Sequence, residues 1–285
     1  MLVLGVSAGA SGARAVLAHS DRPHREPMAR CDVRRRPGAD VGEPVMSAIR
    51  TLRAAAVDQG DLVGATAVTL RTGIDPFVVE NATATTTRQH VRVFTETSAQ
   101  LRYLRFTGLL PRTGTVALYD VGSSGLSLCV ADSASGEVLA SRRSAVVGGD
   151  QFDRLLQDHV AGNGIRLDLA VCRDVKERLA AERLTTVADP DTGACTVVTN
   201  NDLAALVRPV VAHSASLLRT MATQSRTAPS LVVLLGGGAG VPSLQAELES
   251  ALRIPVAAAP EPAAVSARGA VILAAADSAV GTRGW

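Results

Sequence analysis

Three glycine-rich turns are the residues best suited to chemistry: Gly9-Ala10-Ser11-Gly12, Asp120 through Gly125, and Gly236-Gly237-Gly238-Ala239-Gly240. Without a Cβ, the backbone amides can approach an anion closely, and a helix N-terminus after such a turn adds partial positive charge. Singly, each is also the signature of a plain hairpin or strand–helix turn. None completes G-x-G-x-x-G between a strand and a helix, so a dinucleotide-binding fold is not supported. Asp120 and Glu96 are carboxylates able to hold a hydrated metal or orient a water. Their plainer roles are a turn cap and a helix cap. Lys176 is the sole lysine, and because it stands in Val-Lys-Glu the chain has no Walker A loop. It is either a binding cation or part of a solvated helix face.

The elements that must position these residues follow from hydrophobic periodicity. Leu2–Val6 and Ala13–Leu17 read as strands around the first turn, with Arg30–Val33 completing a small meander. Val45, Met46, Ile49, Leu52 and Ala56 keep helical spacing. Residues 65–70 and 91–94 read as strands and 96–106 as a helix, while the locally simple run 81–87 has no assignable pattern. The scheme then restarts: strand 115–119, the second turn, strand 126–131, a turn at Ser133–Gly136, and a long strand over 138–147. Strand, glycine turn and strand therefore occur twice, a structural duplication without a sequence repeat. Helices are expected over 152–160, 167–181 and 202–222, the last opened by a capping-box pattern from Thr199 to Asp202. The apolar strand 231–235 runs into the third turn; Leu244, Leu248 and Leu252 mark the next helix, and 264–276 a closing one.

Composition narrows the function classes. The 285 residues are 47% hydrophobic, enough for a substantial core, and 29 basic against 27 acidic side chains leave a net charge of +2. Such a balance gives no field suited to nucleic acid or a membrane surface, and 2% aromatics leave few stacking platforms. No run approaches a membrane span. Met1–Ala18 is apolar enough to imitate a signal peptide but lacks a basic start and is interrupted by Gly5, Gly9 and Gly12, so it reads as a hairpin. Cys31, Cys129, Cys172 and Cys195 are widely spaced, pointing to buried thiols in a reduced, cytoplasmic protein rather than to a metal site. Arginine in place of lysine, with abundant alanine, suggests a bacterial genome of high GC content.

In order along the chain, these segments resemble the nucleotide-binding domain of the 70-kDa heat-shock chaperones, within the actin-like ATPase superfamily. Leu4 through Gly12 looks like the first phosphate loop and Tyr119 through Gly125 like the second. Gly148-Gly149-Asp150-Gln151-Phe152-Asp153 is similar to the family's Gly-Gly-Asp-Asp-Phe-Asp, and Val175 through Leu179 to its adenosine-contacting helix. Val198 through Leu203 resembles a further helix start, Leu235 through Pro242 the adenosine motif, and Glu261 through Ala270 the closing helix. The resemblance implies an α/β, actin-like ATPase fold of the duplicated ribonuclease H-like type, with two lobes around a nucleotide cleft. Lobe I is expected over 1–112 plus 262–285 and lobe II over 113–261. It implies ATP or ADP with Mg²⁺, held by Gly9, Ser11, Gly12, Gly122, Ser123, Ser124, Gly125, Gly148, Gly149, Asp150, Lys176, Glu177, Gly236, Gly237, Gly238 and Ala239. Asp120 is the expected metal ligand, and Asp120 and Glu96 the expected catalytic residues.

The departures bear on activity. Ser7 stands where the family's first loop carries an aspartate, and Ala10-Ser11 where it has two threonines. Gly122-Ser123-Ser124-Gly125 loses a threonine, and Ser127 replaces a later aspartate. Lobe I has no lysine, and in the adenosine helix Arg173, Glu177 and Ala180 depart from the pattern while Lys176 fits. Glu96 stays without its following proline. Phosphoryl transfer depends on positioning and charge neutralisation, so these losses predict weak or lost hydrolysis, a pseudo-ATPase acting through protein partners. The alternatives are a working ATPase or phosphotransferase with relocated groups, Asp120 and Glu96 on the metal and an arginine on the phosphates, or a structural module of a cell-envelope or division assembly. After the closing helix only Asp277–Trp285 remain, so no peptide-binding domain or lid is expected.

Overall fold

The computed structural model describes residues 1–84 and 91–281, with side chains through 277; residues 85–87 of the simple run lie outside them. The chain divides into two compact units, Met1–Pro111 with Ala264–Trp285, and Arg112–Ala263.

The first unit begins with β1 (Leu2–Ala8) and β2 (Gly12–His19), an antiparallel hairpin extended by β3 (Ala29–Arg34). The apolar N-terminal run is thus the hairpin its glycines suggested. α1 (Gly42–Asp58) leads to β4 (Val63–Leu70), then α2 (Pro76–Ala84), β5 (Val91–Thr95) and α3 (Glu96–Phe106). α8 (Val265–Gly281) returns to this unit from the end of the chain. The sheet order is β3-β2-β1-β4-β5, with β1, β4 and β5 parallel. β1 is an almost unbroken apolar strand because both its faces are covered. Leu2, Leu4 and Val6 meet Val45, Ile49 and Leu52 of α1, while Val3 meets Ala267, Ala270 and Val271 of α8. α2 was not anticipated, because its run of valine, alanine and threonine has neither strong helical propensity nor a clear apolar face.

The second unit repeats the plan. β6 (Thr115–Val121), β7 (Leu126–Asp132) and β8 (Val138–Ser144) form its meander. α4 (Gly149–Gly162) and α5 (Leu169–Leu179) follow, then the hairpin β9 (Leu184–Ala188) and β10 (Cys195–Thr199). α6 (Asn200–Gln224), β11 (Leu231–Leu235), α7 (Leu244–Leu252) and β12 (Val256–Ala258) complete it. Its sheet order, β12-β11-β6-β7-β8, read backwards matches that of the first unit, so the duplication seen in the sequence is one of topology. The core gathers Tyr119, Leu126 and Leu128 with Phe152, Leu156, Val175 and Leu203 from the helices. Thr199 and Asp202 close the expected capping box on α6. The β9–β10 hairpin has little sequence signal: its buried positions are only Thr185 and Val187 on β9 and Val198 on β10, and one of them is polar. β8 ends at Ser144, short of the expected 147, where the chain turns toward Gly148.

Candidate functional site

In the second unit the glycine-rich segments converge on the carboxyl end of the parallel strands. Leu235 at the end of β11 pairs with Asp120 on β6, so Gly236 and Gly122 leave neighbouring strand ends. A Cβ on Gly236 would overlap the Asp120 carboxylate and the Val121 carbonyl, and its φ of 80° also suits glycine. A Cβ on Gly238 would overlap the Val121 side chain. The Gly122–Gly125 turn is closed by the Gly122 amide donating to the Gly125 carbonyl at 2.9 Å. Onto it folds the start of α4: the Gly149 amide donates to the Gly122 carbonyl at 2.9 Å and the Asp150 amide to that of Ser123 at 2.8 Å. A Cβ on Gly148 would stand 2.5 Å from the Gly125 nitrogen. Asp120, Gly122 to Gly125, Gly148 to Asp150 and Gly236 to Ala239 therefore share one sheet edge, the place where open α/β sheets bind ligands. The third turn differs from expectation in form: Gly237–Gly240 coils as a 3₁₀ turn, and the α7 helix starts only at Leu244.

Lys176, expected to contact nucleotide, is committed elsewhere. At 9% exposure it donates to the Gly149 carbonyl at 3.0 Å and pairs with Asp153, itself 1% exposed. Arg173 joins the same cluster, 3.2 Å from Asp153 and 2.9 Å from Asp150. The cluster clamps α5 to α4 beneath the glycine edge, and Asp150 answers to Arg173. Glu177 is exposed on α5.

In the first unit Gly9 and Gly12 pair across their turn at 2.7 Å, and a Cβ on Gly12 would overlap the Val33 carbonyl. The Ser11 carbonyl accepts from the Arg35 amide at 2.8 Å. Ala8 pairs with Leu70 and Leu70 with Thr95, so the Gly9 turn and Glu96 leave the same edge, on the order of 10 Å apart across two strand spacings. Thr95 is the N-cap of α3. The carboxylate of Glu96 accepts from Ser266 of α8 at 3.0 Å, and Ser266 in turn accepts from Gln100 at 3.1 Å. Two matched glycines have packing reasons: a Cβ on Gly5 would overlap the α8 backbone at Ala267 and Val271, and one on Gly269 the Ala99 carbonyl of α3. Arg268 beside it is buried and donates to the His24 carbonyl at 2.7 Å.

Each edge carries a polar row that sequence reasoning did not find. In the first unit Ser7 pairs with Arg14 and Arg14 with Asp32, the guanidinium gripping that carboxylate at 2.8 and 3.0 Å. In the second, Asp120 pairs with Ser127 and Ser127 with Arg143. Arg143 donates to Ser124 Oγ at 2.9 Å and to Ser127 Oγ at 3.3 Å. The only sequence signal was an aspartate lost at Ser127; the register that brings Arg143 opposite it includes an irregularity between Val130 and Ala131.

The chain matches a model described as a family of unknown function (DUF7159) over residues 169–283. Among solved structures, MreB5 of Spiroplasma citri bound to ADP superposes with a TM-score of 0.74 at 14% identity, covering 99% of both chains. The ethanolamine utilization protein EutJ from Carboxydothermus hydrogenoformans gives 0.70 at 17% identity, covering 95% of this chain and 90% of that one. The fold is that of the actin-like ATPases. Within this actin-like fold the sequence is similar to the HscA chaperones. It is 31% identical to the chaperone protein HscA homolog of Shewanella putrefaciens over 188 residues, 60% of this chain and 30% of that protein. The HscA homolog of Burkholderia thailandensis is 32% identical over 180 residues, 56% of this chain and 29% of that protein. The chain thus aligns with about 30% of the length of these curated relatives.

The Mg²⁺ that the actin-like resemblance implies can be tested against the donors present. Serine hydroxyls stand at Ser7 and Ser127, neutral oxygen donors that do not offset the charge of a divalent cation as carboxylates would. The row of the second unit offers one carboxylate, Asp120, and ends in a guanidinium. Glu96 accepts from Ser266, and among the described residues no group of three His, Cys, Asp or Glu could hold a metal. Among the described residues these donors do not build a Mg²⁺ site from protein side chains alone.

Proposed function

We propose that this chain is an actin-like nucleotide-binding protein with weak or lost ATP hydrolysis that acts through protein partners. The carrying observation is the sheet edge of the second unit, where Asp120, Gly122 to Gly125, Gly148 to Asp150 and Gly236 to Ala239 come together. Such an edge offers close backbone approach to phosphate, and the Gly9–Gly12 turn is the matching element of the first unit. The relatives support a nucleotide as ligand: the MreB5 structure is described with ADP, and a 2-hydroxyisocaproyl-CoA dehydratase activator from Clostridium difficile with ADPNP, at a TM-score of 0.62 and 12% identity. Serines at two carboxylate positions and the lack of any lysine in the first unit's sequence take away charges that would hold a metal and stabilise phosphoryl transfer. Similarity to HscA chaperones supports protein partners as the output of the bound state.

Calorimetric titration with ATP and ADP tests the reading. The expected result is saturable micromolar binding, with steady-state phosphate release near the buffer background. No heat and no thermal shift at millimolar nucleotide would overturn it. Turnover at an ordinary ATPase rate that Asp120→Asn abolishes would transfer the chain to the working enzymes.

A further inference from the structure

We propose that Arg143 is the phosphate-binding cation of the second unit, and that it holds the polyphosphate of a nucleotide without a divalent metal. This rests on the nucleotide reading above and adds which group neutralises the charge. Arg143 is exposed on β8, and its guanidinium lies on the glycine turn itself, donating to Ser124 and Ser127. Two of its five N–H donors are accounted for by these bonds, and the planar fork suits phosphate oxygens.

Three comparisons within the molecule bear on this arginine. Among the described residues Arg143 has no carboxylate partner, whereas Arg14, Arg36, Arg92, Arg173 and Arg208 each stand in an ion pair. Its counterpart in the duplicated row, Arg14, is neutralised by Asp32. Lys176, the other cation of the edge, is bound to Asp153 and the Gly149 carbonyl. Ser127 pairs with Asp120 on one side and accepts from Arg143 on the other, so the polar row that starts at a carboxylate ends in a cation. A guanidinium there repels a divalent cation and attracts a metal-free triphosphate, which carries more negative charge than its metal complex. Close backbone approach at Gly148 and Gly236 is independent of metal and is retained.

The test is titration of the full chain with ATP, and separately with inorganic tripolyphosphate, each in excess EDTA and in excess Mg²⁺. The proteins are the wild type, Arg143→Gln, Arg143→Lys, and Arg142→Gln as a neighbouring exposed arginine. The wild type is expected to bind both probes in EDTA at least as tightly as in Mg²⁺. Arg143→Gln should weaken EDTA binding about 10- to 100-fold, the worth of a hydrogen bond to a charged group. Arg143→Lys should recover part of it, and Arg142→Gln should change little. ATP binding that requires Mg²⁺ and ignores Arg143→Gln would overturn the inference and leave the nucleotide reading standing. Tripolyphosphate binding that depends on Arg143, without ATP binding, would keep Arg143 as a phosphate-binding cation and overturn the nucleotide as its ligand. Absence of both in EDTA and in Mg²⁺ overturns both. Far-UV circular dichroism checks folding, and Arg143→Lys decides should the glutamine variant fail to fold.

Discussion

Lys176 and Asp153 show how a residue's surroundings decide its role. A lone lysine in a helix near glycine-rich segments invites assignment to a ligand, yet its ammonium meets a carboxylate that is 1% exposed. Breaking such a buried pair leaves a charge without its partner, and Arg173 offsets only part of the loss. Lys176→Met is therefore expected to cost about 3 kcal/mol of stability in a urea melt. Most of that should return in the double variant Asp153→Leu, Lys176→Met, because an apolar replacement removes both charges. Nucleotide affinity of the folded Lys176→Met protein should stay near the wild type. A large loss of affinity with unchanged stability would restore Lys176 to the ligand. None of this was readable from the Val-Lys-Glu context, because the partner lies 23 residues away on another helix.

At the scale of elements, glycines at matched motif positions separate into those that serve packing and those that lie on the candidate edge. Gly269 sits within α8 against the Ala99 carbonyl of α3, and Gly5 lets α8 lie on β1. In a helix, alanine is ordinarily preferred to glycine by about 1 kcal/mol. Gly162, in α4, has nothing within 4 Å of an added Cβ, so Gly162→Ala should raise the unfolding free energy in a urea melt by up to that amount. Gly269→Ala should lower it by about 1–3 kcal/mol, because α8 must move off α3 to admit the methyl. Equal effects at the two sites would contradict the packing described. The amphipathic helices and apolar strands were legible because their burial is local and periodic. α2 and the β9–β10 hairpin were not, since weak propensity in the one and a sparse, partly polar buried face in the other leave little periodic signal.

For the molecule as a whole, each unit has its own core, and the four cysteines sample them. Cys129 and Cys172 lie buried in the second unit, where burial pushes their thiols up to about 12 and about 11, the second raised further by Asp153 and Asp168. Cys195 is exposed on β10 and Cys31 half-buried on β3. A disulfide-exchange reagent at pH 8 should label Cys195 at once, and Cys129 and Cys172 only at the rate of global unfolding, since the thiolate is the reacting form. Rapid labelling of Cys172 in the native protein would show that α5 is detached from its core.

The amino-acid sequence by itself determined the strand–turn–strand duplication, the main helices, the capping box at Thr199 and the order of glycine turns. All of these are local patterns of apolar spacing and turn chemistry, written within a dozen or so residues. Tertiary structure alone decided that the glycine segments of the second unit share a strand edge, that Lys176 closes onto Asp153, and that Arg143 stands opposite Ser127 while Arg14 stands opposite Asp32. Those outcomes depend on strand register and helix docking between residues far apart in the chain. Register is a property of pairs of strands, set by which faces become buried together, and no single segment encodes it.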